Sequence, residues 1–211
     1  MTDMARKRVA VLISGRGSNL AALIAAAKDK HYPAEIVLVV SNRADAGGLA
    51  HARAYNIATD IVDDAQHGKD RESFEHALSS VLQRHRIDIV CLAGFMRLLS
   101  PSFVGQWQGR MLNIHPSLLP AFKGLNTHER VLAAGAKTHG ATVHFVVPEL
   151  DSGPILAQEA VSVLDGDTPQ ALAERVLEVE HRIYPLALAL LAAERVRIVD
   201  GRCVVDNASI N

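Results

Sequence analysis

Asn113 and His115 stand two residues apart at the end of an apolar stretch, and Asp151 follows further along the chain. Residues 110–114 read as a short buried strand, and the step through His115 into Pro116 opens that strand into a loop. In a strand, residues i and i+2 project from one face, so a carboxamide and an imidazole would sit side by side at the mouth of a sheet. An imidazole exchanges protons near neutral pH, and a carboxamide offers an N–H to an oxygen that becomes negative. The pair suits addition to a carbonyl. An isolated Asn-x-His also fits a loop-capping histidine beside a turn asparagine, and this plain reading outweighs the catalytic one until further residues join the pair.

A second constellation lies near the N-terminus. Residues 9–13 form a β-branched apolar run that ends in Ser14-Gly-Arg-Gly-Ser-Asn19, and residues 20–27 read as an alanine-rich helix. Strand, glycine turn, helix is the order that makes an anion site. Gly15 and Gly17 allow a tight turn, and Ser18 and Asn19 are expected to cap the helix while its free N–H groups face a phosphate. The string is neither a full G-x-G-x-x-G nor a Walker A loop, so a turn with no ligand is an equal reading of this segment alone.

The elements that must position these groups follow from periodicity. Buried strands are expected at residues 35–40, 57–62 and 87–92, with helices at 46–55 and 71–85, the latter with Phe74, Leu78, Val81 and Leu82 on one side. This βα repetition predicts an α/β fold: an open, mostly parallel sheet with helices on both faces. Residues 63–70 read as an exposed loop, and Pro101 starts a short helix. In the second half a helix at 127–134 stops at Gly135. A strand at 138–147 carries Thr142 and His144 on one alternating face, the loop 148–154 follows, and a strand at 155–163 should pair antiparallel with it. A long helix begins at Thr168 and runs past Pro185, and residues 196–205 alternate around Asp200-Gly201, a hairpin signal. Ligands of open parallel sheets bind beyond the carboxyl ends of the strands, where strand order reverses. The glycine loop, residues 93–97, residues 113–124 and residues 148–153 are the loops expected at that edge.

Composition narrows the partners. The chain has 211 residues, 49% hydrophobic and 21% charged, enough for a sizeable core and read as one domain over 1–211, with a short polar extension at 1–8 and a loose tail at 206–211. A formal net charge of -1 with scattered Lys and Arg supplies no basic field for nucleic acid, so small-molecule substrates are expected. Cys91 and Cys203 suggest neither a disulfide framework nor a metal site, which fits a reducing cytosol. The ten histidines lack H-x-x-x-H and H-E-x-x-H spacing, so no metal is expected. No signal-peptide pattern precedes residue 9, and the longest apolar run, 183–193, falls short of the ~20 residues a membrane span needs. A cytoplasmic protein, monomer or homodimer, fits these features.

Taken together, the motifs resemble the formyltransferases that use 10-formyltetrahydrofolate. Leu112-Asn-Ile-His-Pro-Ser-Leu-Leu-Pro120 and Glu149-Leu-Asp-Ser-Gly-Pro154 mark the wider family. His139-Gly-Ala-Thr-Val-His-Phe-Val146 also carries the resemblance, and the Ser-Gly-x-Gly-Ser-Asn of Leu12-Ile-Ser-Gly-Arg-Gly-Ser-Asn19 with the Gly-Phe-Met-Arg of Leu92-Ala-Gly-Phe-Met-Arg97 points to its glycinamide ribonucleotide branch. The resemblance runs from about residue 9 to residue 191. It implies a Rossmann-like formyltransferase fold with Asn113, His115 and Asp151 as the catalytic trio. It implies Gly17, Ser18, Asn19 and Leu20 against a substrate phosphate, Glu180 at the glycinamide end, and Thr142 and His144 in support. On the folate side it implies Arg71, Met96, Arg97, Leu98, Leu99, Asn113 and the loop Val147, Pro148, Glu149, Leu150 and Asp151. Glu149 stands where an Asp is usual, and Leu177 where a polar residue is common. The reaction implied passes the formyl group of 10-formyltetrahydrofolate to the amine of glycinamide ribonucleotide, with Asp151 favouring the cationic form of His115 and relaying protons. Alternatives are a formyltetrahydrofolate hydrolase, which would carry a further regulatory domain, a methionyl-tRNA formyltransferase, with a further nucleic-acid-binding domain and a basic surface, and a nucleotide-binding module without turnover.

Overall fold

The computed structural model describes residues 5–206; residues 1–4 of the expected extension and 207–211 of the expected tail lie outside the described residues. Seven strands form one sheet: β1 (Lys7–Ile13), β2 (Ala34–Ser41), β3 (Ala58–Ile61), β4 (Ile89–Leu92), β5 (Met111–His115), β6 (Thr138–Phe145) and β7 (Ile155–Ser162). Their order is β3-β2-β1-β4-β5-β6-β7, parallel from β3 to β5 and antiparallel at the β5/β6 and β6/β7 pairs. Strand order reverses between β1 and β4, and a switch point of this kind opens a crevice outside the strands' carboxyl ends.

Side-chain alternation explains why β1 and β4 read as unbroken apolar runs. Val9, Val11 and Ile13 face a core with Leu20 and Leu23 of α1 (Ser18–Ala27), Leu49 of α2 (Gly48–Ala54) and Val176 and Tyr184 from further along the chain. Ala10 and Leu12 face the opposite core, with Phe74, Leu78 and Leu82 and with Phe103. Both faces of the sheet are covered, so no polar alternation survives in its central strands.

Two expectations need correction. Residues 63–70 are not plain loop: Asp63 accepts the N–H of Ala65 and starts one helical turn, α3 (Asp64–His67). That is the work of an aspartate at an N-cap. Ser18 and Asn19 do not cap α1. Gly17 holds the N-cap position with φ +79, and no side chain bonds the first turn. A Cβ on Gly17 would sit 2.6 Å from the Cα of Gly48, so the glycine serves both the left-handed turn and the close approach to α2.

The remaining helices are α4 (Arg71–Arg84), α5 (Pro101–Gln106), α6 (Thr127–Ala133) and α7 (Pro169–Ala192), which keeps Pro185 inside it. The C-terminal hairpin, β8 (Val196–Val199) with β9 (Arg202–Val205), turns at Asp200 and Gly201, both at positive φ as a tight two-residue turn requires.

Candidate active site

The N-x-H pair ends β5. Asn113 is level with Leu92, the last residue of β4, and His115 extends two residues beyond it, so the pair stands at the strands' carboxyl edge. β6 runs antiparallel to β5 and places His144 opposite Asn113 and Thr142 opposite His115. The loop that leaves β6 folds back so that Asp151 reaches the pair. Its Oδ2 accepts the N–H of Gly124 at 2.8 Å and lies 3.5 Å from His115 Nδ1, and its Oδ1 lies 3.7 Å from His144 Nε2. His115, Asp151 and His144 are each less than a tenth exposed. The fold-back depends on Gly153, because a Cβ there would come within 1.8 Å of the Phe145 carbonyl oxygen. Asp151 itself has φ +48, a conformation aspartate tolerates better than most residues.

Acceptors around the cluster fix its hydrogen positions. The Phe145 carbonyl can only accept, so His144 donates its Nδ1–H to it at 2.9 Å. Burial pushes the pKa of His144 below its usual value, although the Phe145 carbonyl and the nearby Asp151 pull the other way. A neutral His144 therefore has a lone pair on Nε2, and Asn113 Nδ2 donates to it at 3.2 Å. This orients the Asn113 carboxamide and leaves its second N–H for another acceptor. His115 donates its Nε2–H to the Phe122 carbonyl at 3.0 Å. Both ring nitrogens of His115 thus face oxygen. Thr142 supports the loop after His115, accepting the N–H of Leu119 and donating to the Ser117 carbonyl.

Asn19 and Glu180 meet at the first turn of α1: Asn19 Nδ2 donates to Glu180 Oε2 at 2.5 Å. Burial raises the pKa of the Glu180 carboxyl, and the Asn19 N–H offsets part of that rise. Asn19 Oδ1 is buried without a partner, an acceptor open to a donor from a ligand. Four residues on, the Tyr184 hydroxyl donates to the carbonyls of Leu92 and Leu112, which ties α7 beneath the ends of β4 and β5. The side chain of Leu20 belongs to the core, so only its backbone N–H is placed to meet an anion.

The expected folate-side residues divide by exposure. Met96, Leu98 and Leu150 are more than half exposed. Pro148 and Glu149 are exposed, Val147 is half-buried, and Arg71 is exposed at the start of α4. Leu99 packs against the second core. The Arg97 guanidinium is spent inside the protein, on Asp64 and the carbonyls of Gly68 and Asp70. Sequence reasoning missed Ser14, Asn42 and Asp64 beside it, as well as the Phe122 carbonyl and Gly124 amide. Asn42 could have been noticed as the polar residue directly after the apolar β2 run. Among the described residues, no group of three or more His, Cys, Asp or Glu side chains is placed to hold a metal ion, and no helix is long and apolar enough to cross a membrane.

Residues 7–188 match the model of the formyl transferase family. The chain is 44% identical to phosphoribosylglycinamide formyltransferase of Escherichia coli K12, over 94% of this chain and 93% of that protein. It is 52% identical to the trifunctional purine biosynthetic protein adenosine-3 of Gallus gallus over 90% of this chain, but spans only 19% of that protein's length. The structure superposes on glycinamide ribonucleotide transformylase 1 of Symbiobacterium toebii with a TM-score of 0.91 at 44% identity, covering 95% of this chain and 94% of that one. With a mostly parallel sheet that turns antiparallel after β5 and a polar cluster at the carboxyl ends of its strands, the chain belongs to the formyl transferase family.

Proposed function

We propose that this chain transfers the formyl group of 10-formyltetrahydrofolate to the amine of glycinamide ribonucleotide, giving formylglycinamide ribonucleotide and tetrahydrofolate for purine synthesis. The observation that carries the reading is the convergence of Asn113, His115, Asp151 and His144 on the edge of β5, within 3.7 Å of one another along the chain of contacts. The amine lone pair attacks the formyl carbon and the C=O π pair moves to oxygen. The free N–H of Asn113 is aimed at that developing charge, and preorganised donors of this kind stabilise it without rearranging. The N–H that His115 holds on the Phe122 carbonyl is the second donor, available once that carbonyl gives way to the substrate oxygen. Asp151 takes the proton lost by the attacking nitrogen and returns it to the folate nitrogen as the C–N bond breaks, so the exchange is balanced and needs no metal.

The ribonucleotide phosphate belongs at the N–H groups of Ser18, Asn19 and Leu20 beyond Gly17, with Glu180 against the glycinamide end. The pterin belongs between residues 96–99 and 147–151, with Arg71 beside it. We read residues 1–211 as one domain with small-molecule partners and a cytoplasmic location. The test is formation of deformylated folate with and without glycinamide ribonucleotide. Product that requires the ribonucleotide supports the transferase; product at the same rate without it means hydrolysis, and none in either case leaves a binding module.

A further inference from the structure

The ends of three neighbouring strands are joined by side chains as well as by the sheet ladder. Ser14, directly after β1, donates its hydroxyl to Asn42 Oδ1 at 2.6 Å and accepts the N–H of Met96 at 2.8 Å. Asn42, directly after β2, donates from Nδ2 to Asp64 Oδ2 at 2.5 Å and accepts the Asp64 N–H on its backbone carbonyl at 3.0 Å. Asp64, at the start of α3, accepts from Arg97 with its other oxygen. Arg97 also reaches the Gly68 and Asp70 carbonyls and lies 4.2 Å from the Phe74 ring centre. Ser14 and Asn42 are buried, and the Arg97 side chain is only 14% exposed.

The ends of this chain lie in different places. Ser14 opens the glycine loop that leads to Gly17 and the first turn of α1. Met96 and Arg97 lie within the loop after β4, in which Met96 and Leu98 are exposed. A carboxamide in the middle has no freedom: its oxygen takes the serine hydroxyl, so its nitrogen must address the carboxylate. The carboxylate in turn fixes the guanidinium, whose planar fork spans both Asp64 and the backbone of residues 68–70. Displacing Ser14 or Asp64 leaves a polar atom of the buried Asn42 unpaired, and displacing Asn42 takes the acceptor from the buried Ser14 hydroxyl, which resists independent motion of the two loops.

We propose that Ser14, Asn42, Asp64 and Arg97 are positioning residues that hold the phosphate loop and the folate-side loop in one register, so that the affinities for the two substrates are coupled. This rests on the assignment of those loops to the ribonucleotide and the folate. Asp64→Asn tests it, since the new amide nitrogen would oppose either the Asn42 nitrogen or the Arg97 guanidinium while shape is kept. KM for each substrate and kcat are measured for wild type, Asp64→Asn, Ser14→Ala and the double variant, with a thermal melt for each. The expected result is a rise of about tenfold in both KM values for each single variant, with kcat changing less. The double variant should be no worse than the weaker single one, because both cut the same chain. A ribonucleotide KM unmoved by Asp64→Asn, or effects that multiply in the double variant, would overturn the proposal. Wild type that fails to transfer formyl would instead remove the functional reading. Ser14→Ala deletes one hydroxyl only and carries the test alone if Asp64→Asn does not fold.

Discussion

Replacing Asp151 by asparagine separates its chemistry from its architecture. Asparagine has the same shape and also tolerates the φ of +48 found there, so the backbone need not move. Its carbonyl oxygen can keep the Gly124 N–H at 2.8 Å. Its amide nitrogen then faces His144 Nε2, 3.7 Å away, whose one lone pair already accepts the Asn113 N–H, so the new amide N–H is left without a partner. Stability should therefore fall by about 1 to 3 kcal/mol. The chemistry loses both a base and a charge. A lost general acid–base group costs about a hundred- to ten-thousand-fold in rate, or roughly 3 to 5 kcal/mol of barrier. The assay is kcat for formyl transfer at saturating substrates, paired with a thermal melt. A folded variant that keeps kcat within a factor of ten would refute the role given to Asp151.

Further predictions follow from single contacts. Gly153→Ala must push the loop away from the Phe145 carbonyl, so it should lower stability by at least about 2 kcal/mol and cut kcat, as melts and rates would show; unchanged melting would mean the loop has another path. Burial raises the Glu180 carboxyl above 4.5 in the folded state, so the stability linked to it is full below that value and declines as pH rises through the raised one. Glu180→Gln should flatten that decline, leave the melting temperature at pH 7 to 8 at or above wild type, and raise KM for the ribonucleotide. His139, held down to about 4 from 6.5 by burial and by the neighbouring His128, protonates first in the unfolded chain as pH falls. Stability tied to it is thus complete above 6.5 and lost toward 4, and melts of His139→Gln should show a shallower loss over that window. Tyr184→Phe removes the donor shared by the Leu92 and Leu112 carbonyls and should cost about 1 kcal/mol in a denaturant titration.

How much of this could be read in advance depends on the range of the interaction. The parallel strands were legible because burial on both faces removes polar residues from them, as at β4, where all four residues are buried. The Asn113 and His115 pair was legible because its geometry is local: two residues on one strand share a face whatever the sheet does around them. The short turn at α3 was not, because Asp63 in a run of polar residues gives the same composition whether it caps a helix or sits in open loop.

The contacts that turn these pieces into a site run over long separations, and no periodicity encodes them. Asp151 reaches His115 only because β6 is antiparallel to β5 and because a residue without a side chain follows two positions later. Asn19 meets Glu180 across 161 positions. Resemblance supplied those residues, but it supplied them as names of ligand contacts, and the structure gives some of them other duties. Arg97 is the sharpest instance. A charged residue after a strand at the ligand edge invites a role in binding, yet its guanidinium holds Asp64 and the carbonyls of Gly68 and Asp70. Residues that recognise a substrate and residues that hold the recognisers in place can therefore carry the same sequence signal, and the difference appears only once their partners are known.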